Sequence, residues 1–316
     1  EKPVASQVIV LKNITNPKKA SSVAAKVVLQ MNCKLGGELW ACQPVNAPFK
    51  DLMVVGIDVY HDRSLKGGSI AGVVASINDS MSRWYSTVAI QKPGQELTDS
   101  LAVSFMDALL KYWETNHCFP KNIVVFRDGV SDGQMATVER HEVQQFLRTF
   151  KNIGHGDHGT HPDNAERHKK LGEILPSDYN PGFNFVVVQK RINTRIFSVT
   201  NASGGAAQFQ NPCAGTVLDH TVTRRNFKDF FLVPQNVNQG TVTPTHFVVL
   251  TETGNNCYQV DVVQKLTYLL THMYYNWPGT VRVPAPCQYA HKMVDMVGAN
   301  LHTVPSPEMN EKLYFL

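Results

Sequence analysis

Leu52-Met53-Val54-Val55-Gly56-Ile57-Asp58-Val59-Tyr60-His61-Asp62 is a short apolar run, rich in β-branched residues, that ends on an acid. That is the pattern of a buried strand. Apolar neighbours on both sides of Asp58 leave its charge no solvated face. A carboxylate in that setting is costly unless something cationic meets it. A second run has the same shape: Asn122-Ile123-Val124-Val125-Phe126-Arg127-Asp128-Gly129-Val130-Ser131-Asp132-Gly133. Two strands that each deliver an Asp to one end of a sheet point to a divalent-metal site. Magnesium prefers hard oxygen ligands, and phosphoryl-transfer sites hold it with paired carboxylates. At this level a plainer reading stands beside it, in which both residues end strands in turns, since Asp-Gly is an ordinary turn pair.

The 316 residues suffice for one large core plus part of another domain. The chain opens on Glu1 without a Met, a basic leader or an apolar signal region, so a fragment without a secretory signal is expected. No apolar stretch reaches the roughly 18 residues of a membrane span. A net charge of +4 permits a polyanionic partner without demanding one. Six scattered cysteines with no Cys-x-x-Cys pair argue against a zinc ribbon or a disulfide scaffold and suit a reducing compartment.

Gln7 to Lys12 reads as a strand, Asn16-Pro17 as a helix start, and Ser21 to Lys34 as a helix stopped by Gly36-Gly37. This pair is too small for a domain and looks like the tail of one. Beyond Pro44–Pro48 the Asp58 strand, Ile70–Ile77 and Trp84–Ile90 form an antiparallel meander. Glu96 precedes a long amphipathic helix, Thr98–Thr115, where a glutamate also serves as an ordinary dipole or capping residue. A helix from Met135 to Phe150 follows the Asp128 strand. The His- and Gly-rich stretch from Gly154 to Asp178 reads as a mobile surface insertion rather than a metal site. Phe183–Gln189 is a strand, and Lys190, Arg191 and Arg195 beside its end could meet phosphates or form a solvated edge. Short strands at Gly215–Leu218, Asp229–Val233 and His246–Leu250 precede two helices, Val260–Tyr275 and Cys287–Leu301; the apolar terminus Leu313-Tyr314-Phe315-Leu316 is expected to dock. The order of elements indicates an α/β domain over a mixed sheet.

Several phrases, taken in order, resemble one family. Gly56-Ile57-Asp58-Val59-Tyr60-His61-Asp62, Phe126 to Gln134, Gln189 to Arg195, Gly240 to His246 and Pro284 to Lys292 resemble the PIWI domains of Argonaute proteins. The first of these, Gln288-Tyr289-Ala290-His291-Lys292, Leu29 to Gly37 and the tail Tyr314-Phe315-Leu316 look like the Piwi branch. The resemblance implies an RNase H-like PIWI domain over residues 46–316, preceded by the C-terminal part of a MID domain over residues 1–45.

It also implies roles. Asp58, Glu96, Asp128 and His291 match a catalytic tetrad, with Asp58, Asp128 and His291 as ligands of Mg²⁺ or Mn²⁺. Gln7 and Lys34 match the pocket for the guide's 5′-phosphate, where Gln30 and the carboxylate of Leu316 would hold a further metal ion. Lys190, Arg191 and Arg195 would meet RNA. The implied activity is cleavage of complementary target RNA directed by a small guide RNA (piRNA), leaving a 5′-phosphate and a 3′-hydroxyl, in transposon or gene silencing. A guide-dependent scaffold that recruits silencing-pathway proteins without cutting is the alternative. The implied setting is a monomer without membrane contact, in the cytoplasm or perinuclear germ granules, with the nucleus as a further option. The stretch from Gly154 to Asp178 departs from the family by its length.

Overall fold

The computed structural model describes residues 3–42, 49–61, 68–91, 98–155, 170–176, 178–201 and 207–316. Its frame is a mixed sheet. Among the described residues the strands are β1 (Leu52–His61), β2 (Ser69–Ser76), β3 (Trp84–Gln91), β4 (Asn122–Asp128), β5 (Gly182–Gln189), β6 (Ser198–Asn201), β7 (Ala207–Gln210), β8 (Thr216–Leu218), β9 (Lys228–Val233) and β10 (Thr245–Thr253). Eight of them form one sheet in the order β3-β2-β1-β4-β5-β10-β9-β8. The β1–β4 and β4–β5 pairs are parallel and lie at its centre, flanked by antiparallel pairs. The central strands are covered on both faces, which explains their nearly unbroken apolar sequences.

Alternation along β1 sends its side chains to two separate cores. Leu52 and Val54 join Val124, Phe126, Val186 and Val188 on one face. Met53, Val55 and Ile57 join Ile123, Val125, Phe183 and Phe185 on the other. The first face is covered by α6 (Val260–Leu270), α7 (Ala285–Met296) and the C-terminal tail, in which Leu313, Tyr314, Phe315 and Leu316 are all buried. The second is covered by α3 (Thr98–Asn116) and α5 (Gln144–His155). Leu101, Phe105, Leu109 and Tyr112 recur at helical spacing along α3, and all are buried.

The sheet, its mixed character and the docked tail agree with the sequence expectations, and several local readings change. The strand expected at Gln7–Lys12 does not form; α1 (Leu11–Ile14) begins inside it. Val8 and Val10 are 83% and 60% exposed, and no strand among the described residues pairs with this stretch. β-branched residues alone do not make a strand without a partner for its backbone. The helix after β4 is broken: α4 (Met135–Val138) leads into a π-turn, Glu139–Val143, before α5. That turn contains Glu142, whose carboxylate grips the buried Arg127. The β6–β7 hairpin was not expected: its strands are four residues each, and β7 is exposed throughout. The two last helices end earlier, at Leu270 and Met296, the latter running on into a π-turn at Val297–Leu301.

α2 (Pro17–Lys34) starts and stops as its sequence indicates. The Asn16 side chain accepts the Lys18 N–H, Pro17 occupies the first turn, and Gly36 takes the left-handed conformation just past the end (φ +89°). No helix among the described residues is long and apolar enough to cross a membrane.

Candidate active site

Asp58 sits near the end of β1 and Asp128 closes β4. The parallel register pairs Gly56 with Phe126 and Ile57 with Arg127, so the next step along both strands sets Asp58 beside Asp128. Both follow the parity of Leu52, Val54, Val124 and Phe126, and so face the side covered by α7. Gly56 is what lets α7 come close. A Cβ there would lie 2.2 Å from the backbone carbon of Pro286. Pro286, in the first turn of α7, needs no N–H donor at that position. This approach brings His291 to β1, and its Nδ1 lies 2.7 Å from Asp58 Oδ2. The other Asp58 oxygen accepts the N–H of Val59 at 2.9 Å. The bond to Asp58 raises the His291 imidazole above its ordinary value against the opposing effect of burial. Asp295, one turn on, lies 3.5 Å from His291 Nε2.

Asp128 is completely buried. Its Oδ2 accepts from Lys190 Nζ at 2.6 Å, while Oδ1 is buried without a hydrogen-bond partner. Burial pushes this carboxyl up, the neighbouring Asp58 adds to the effect, and Lys190 opposes it. Arg127 points to the opposite face, where Glu142 chelates it at 2.8 and 3.1 Å; its Nη1 donates to the Asp128 carbonyl at 2.6 Å and holds the strand end in place.

A third parallel strand contributes Lys190. Val188 of β5 pairs with Asp128, and Lys190 follows two residues later on the same face. The backbone there is braced by Arg282, which donates to the Lys190 carbonyl and to that of Pro244. A cavity of about 890 Å³ opens over these strand ends; Asp58, Asp128, Lys190, Arg191 and His291 are among its walls. A second cavity, of about 540 Å³, lies at the opposite ends of β4 and β5, beside Asn122 and Pro181, and takes no part in this site.

The donor set suits a divalent cation: two adjacent carboxylates, one with an unpartnered buried oxygen, and an imidazole. The carboxylates are nonetheless engaged with Lys190 and His291. Among the described residues no three His, Cys, Asp or Glu side chains are grouped closely enough to hold a metal. Glu96, expected as the tetrad's fourth member, lies outside the described residues, as does most of the histidine-rich stretch.

The remaining expected residues have these places. Arg191 lines the cavity. Arg195 turns back on its own loop, donating to the Ile192 and Thr194 carbonyls. Lys34 is buried, donates to the Ser6 carbonyl at 2.8 Å, and is pushed down by burial. Gln7 donates to Val8 O, and its own side-chain oxygen is buried without a partner. Gln30 donates to Asn276 at 2.7 Å. Leu316 is buried, its N–H closing on Leu313 O.

Sequence reasoning missed a ring of polar residues at the cavity's edge. Gln189 Nε2 donates to Asp132 at 2.8 Å, and Gln189 Oε1 faces His246 Nδ1 at 2.9 Å. His246 Nε2 meets Asp229 at 2.6 Å; Asp229 accepts the backbone N–H of Arg224, whose guanidinium returns to Asp132 at 2.8 Å. Asp132, Gln189 and His246 fall in motifs already singled out, Arg224 and Asp229 do not, and only strand pairing brings the five together.

Comparison with known proteins places this geometry in a family. A family model described as the Piwi domain matches residues 1–302. The chain is 45% identical over its whole length to Piwi-like protein Ago3 of Bombyx mori, covering 31% of that protein, and 44% identical over 99% of its length to Piwi-like protein 1 of Gallus gallus, covering 32%. It thus spans about a third of the length of these relatives. The crystal structure of Drosophila Piwi superposes with a TM-score of 0.79 at 31% identity, over 99% of this chain and 38% of that one. Kluyveromyces polysporus Argonaute, crystallised with a guide RNA, shares the fold with a TM-score of 0.79 at 22% identity, over 98% of this chain and 38% of that one. The mixed sheet with Asp58 and Asp128 at its parallel strand ends is thus the RNase H-like sheet of a PIWI domain, and the chain belongs to the Piwi branch of the Argonaute family.

Proposed function

We propose that this chain carries the nuclease centre of a small-RNA-guided endoribonuclease, with a piRNA as guide and a complementary RNA as target. The observation that carries the reading is the side-by-side placement of Asp58 and Asp128 at the ends of neighbouring parallel strands, with an open buried oxygen on Asp128. Asp58 and Asp128 would hold Mg²⁺ or Mn²⁺, with His291 beside them and Glu96 as fourth member. When bound, the ion supplies an activated water and charge stabilisation at the leaving oxygen.

The chain's own residues do the rest. His291 grips Asp58 through Nδ1 and presents Nε2 as a proton-carrying group. Arg191 gives the cavity wall positive charge where a phosphate backbone would pass. Sequence choice would come from base pairing with the guide, while the protein reads duplex shape and backbone. Products with a 5′-phosphate and a 3′-hydroxyl, a role in silencing transposons or genes, a monomeric protein with silencing-pathway partners, and a cytoplasmic or germ-granule setting are parts of the same proposal. So is the division into a MID tail (1–45) and a PIWI domain (46–316), with Gln7, Lys34, Gln30 and Leu316 at the guide's 5′-phosphate.

One observation favours the non-cutting scaffold as second reading: in this structure both carboxylates are engaged by side chains, Asp128 by Lys190 and Asp58 by His291, rather than left free for a metal. The two readings separate in one assay. The full chain is loaded with a defined guide and given a fully complementary labelled RNA with Mg²⁺ or Mn²⁺, beside Asp128→Ala. The nuclease reading expects one metal-dependent cut at a fixed distance from the guide's 5′ end, lost in the variant. Guide-dependent binding without a cut in both proteins would transfer the assignment to the scaffold.

A further inference from the structure

Lys190 reaches Asp128 from the cavity, its ammonium against Oδ2. Three adjacent parallel strands bring Asp58, near the end of β1, Asp128, closing β4, and Lys190, just past β5, to one edge on the face covered by α7. The ammonium lies 2.6 Å from Asp128 Oδ2, and the imidazole of His291 lies 2.7 Å from Asp58 Oδ2. Each carboxylate therefore has its own side-chain partner, an ammonium for Asp128 and an imidazole for Asp58. Asp128 is fully buried, and a lone carboxylate there would be unstable. Lys190, by contrast, keeps 27% of its side chain exposed, so its long flexible stem reaches in from the cavity and has room to withdraw. Its backbone is fixed by Arg282 bonding the Lys190 carbonyl, so withdrawal involves the side chain alone.

We propose that Lys190 is a built-in placeholder cation: it neutralises Asp128 in the metal-free protein and must leave Oδ2 when a divalent ion binds. This rests on the metal reading of the Asp58–Asp128 pair given above. The exchange follows from contact at one atom: the ammonium sits 2.6 Å from Asp128 Oδ2, and a dication bonded to that same oxygen would stand against a like charge at close range. The released ammonium remains in the cavity beside Arg191, placed to meet a phosphate. Lys190 thus acts in sequence on two anions, first a carboxylate and then the nucleic-acid backbone.

The test is direct metal binding, not cleavage. Mn²⁺ is titrated into the full chain and followed by calorimetry or by the loss of free-Mn²⁺ electron paramagnetic resonance signal, for the wild type, Lys190→Met, Lys190→Arg and Asp128→Asn. Lys190→Met is expected to bind Mn²⁺ about fivefold more tightly than the wild type, the scale of one half-buried ion pair. Lys190→Arg should stay near the wild type and Asp128→Asn should lose binding. Unchanged or weaker Mn²⁺ binding in Lys190→Met, with binding intact in the wild type, overturns the placeholder role and leaves the metal site standing. Absence of binding in both the wild type and Lys190→Met overturns the metal reading and the placeholder with it.

A second measurement needs no variant. Acylation of Lys190 by an amine-reactive ester, read by peptide mass spectrometry, should rise when Mn²⁺ is added. Unchanged or reduced labelling on metal addition contradicts displacement.

Discussion

His291 Nδ1 and Asp58 Oδ2 meet at 2.7 Å although 233 residues separate them in the chain. The contact depends on how closely α7 lies on β1, and that depends on Gly56 lacking a side chain. Gly56→Ala would place a methyl 2.2 Å from the Pro286 backbone, against atoms that cannot swing aside. The expected cost is about 3 kcal/mol of stability, the upper end for overpacking a core. His291 should separate from Asp58 at the same time. Denaturant unfolding of wild type and variant checks the first effect, and the His291 ring resonances by NMR check the second.

Arg127 and Glu142 form a buried pair whose function is to hold the Asp128 strand end. Removing one partner leaves an uncompensated buried charge. Arg127→Met or Glu142→Gln alone should cost about 3–5 kcal/mol. The double change Arg127→Met with Glu142→Leu should cost clearly less than the sum. A double-mutant cycle by chemical denaturation measures the difference; strict additivity would mean that the pair does not act as a unit.

Asp132 is held below the usual carboxylate range by the Gln189 amide and the Arg224 guanidinium. Because the folded value lies below the unfolded one, the stabilisation is fully present above about pH 4 and is lost as pH falls through the folded value. The side chain is 64% exposed, so its worth is under about 1 kcal/mol. A carboxyl-carbon NMR titration should place the Asp132 midpoint lower in the wild type than in Arg224→Met. Equal midpoints would remove Arg224 from the ring.

The cysteines differ sharply in environment. Burial pushes the Cys33 thiol up to about 12, and burial next to Asp128 and Asp58 pushes Cys287 up as well. Cys118 and Cys213 are exposed. A maleimide near neutral pH should label Cys213 first and Cys118, pushed up by partial burial and the nearby Asp51 and Asp79, more slowly, and reach Cys33 and Cys287 only after unfolding, since the thiolate is the reacting form. Early labelling of Cys287 would mean that α7 leaves the sheet readily.

The parts of this protein that could be read from its sequence are those in which one local pattern has one physical solution. β1 and β4 are apolar on both faces because both are covered, and that run marks them as buried strands. Asn16-Pro17 and Gly36 mark their helix by capping chemistry alone. The misread parts depend on partners. Val8, Ile9 and Val10 resemble a strand, but nothing among the described residues pairs with them. The β6–β7 hairpin has strands of only four residues, too short for the alternation of Ala207 and Phe209 to mark a strand, and β7 is exposed. For Lys190 the sequence leaves a phosphate contact or a solvated edge open, and its bond to Asp128 follows only from the register of β4 on β5, which spacing along the chain does not encode. The same register creates the Asp132–Gln189–His246–Asp229–Arg224 ring.

The central claim is that Asp58 and Asp128 form one divalent-metal site. Its most direct test is Mn²⁺ anomalous diffraction from crystals of the full chain carrying a guide–target duplex. The account predicts an anomalous peak bonded to carboxylate oxygens of both Asp58 and Asp128, with the Lys190 ammonium withdrawn from Asp128 Oδ2. No peak between the two aspartates, with Lys190 still bridging Asp128, would contradict it.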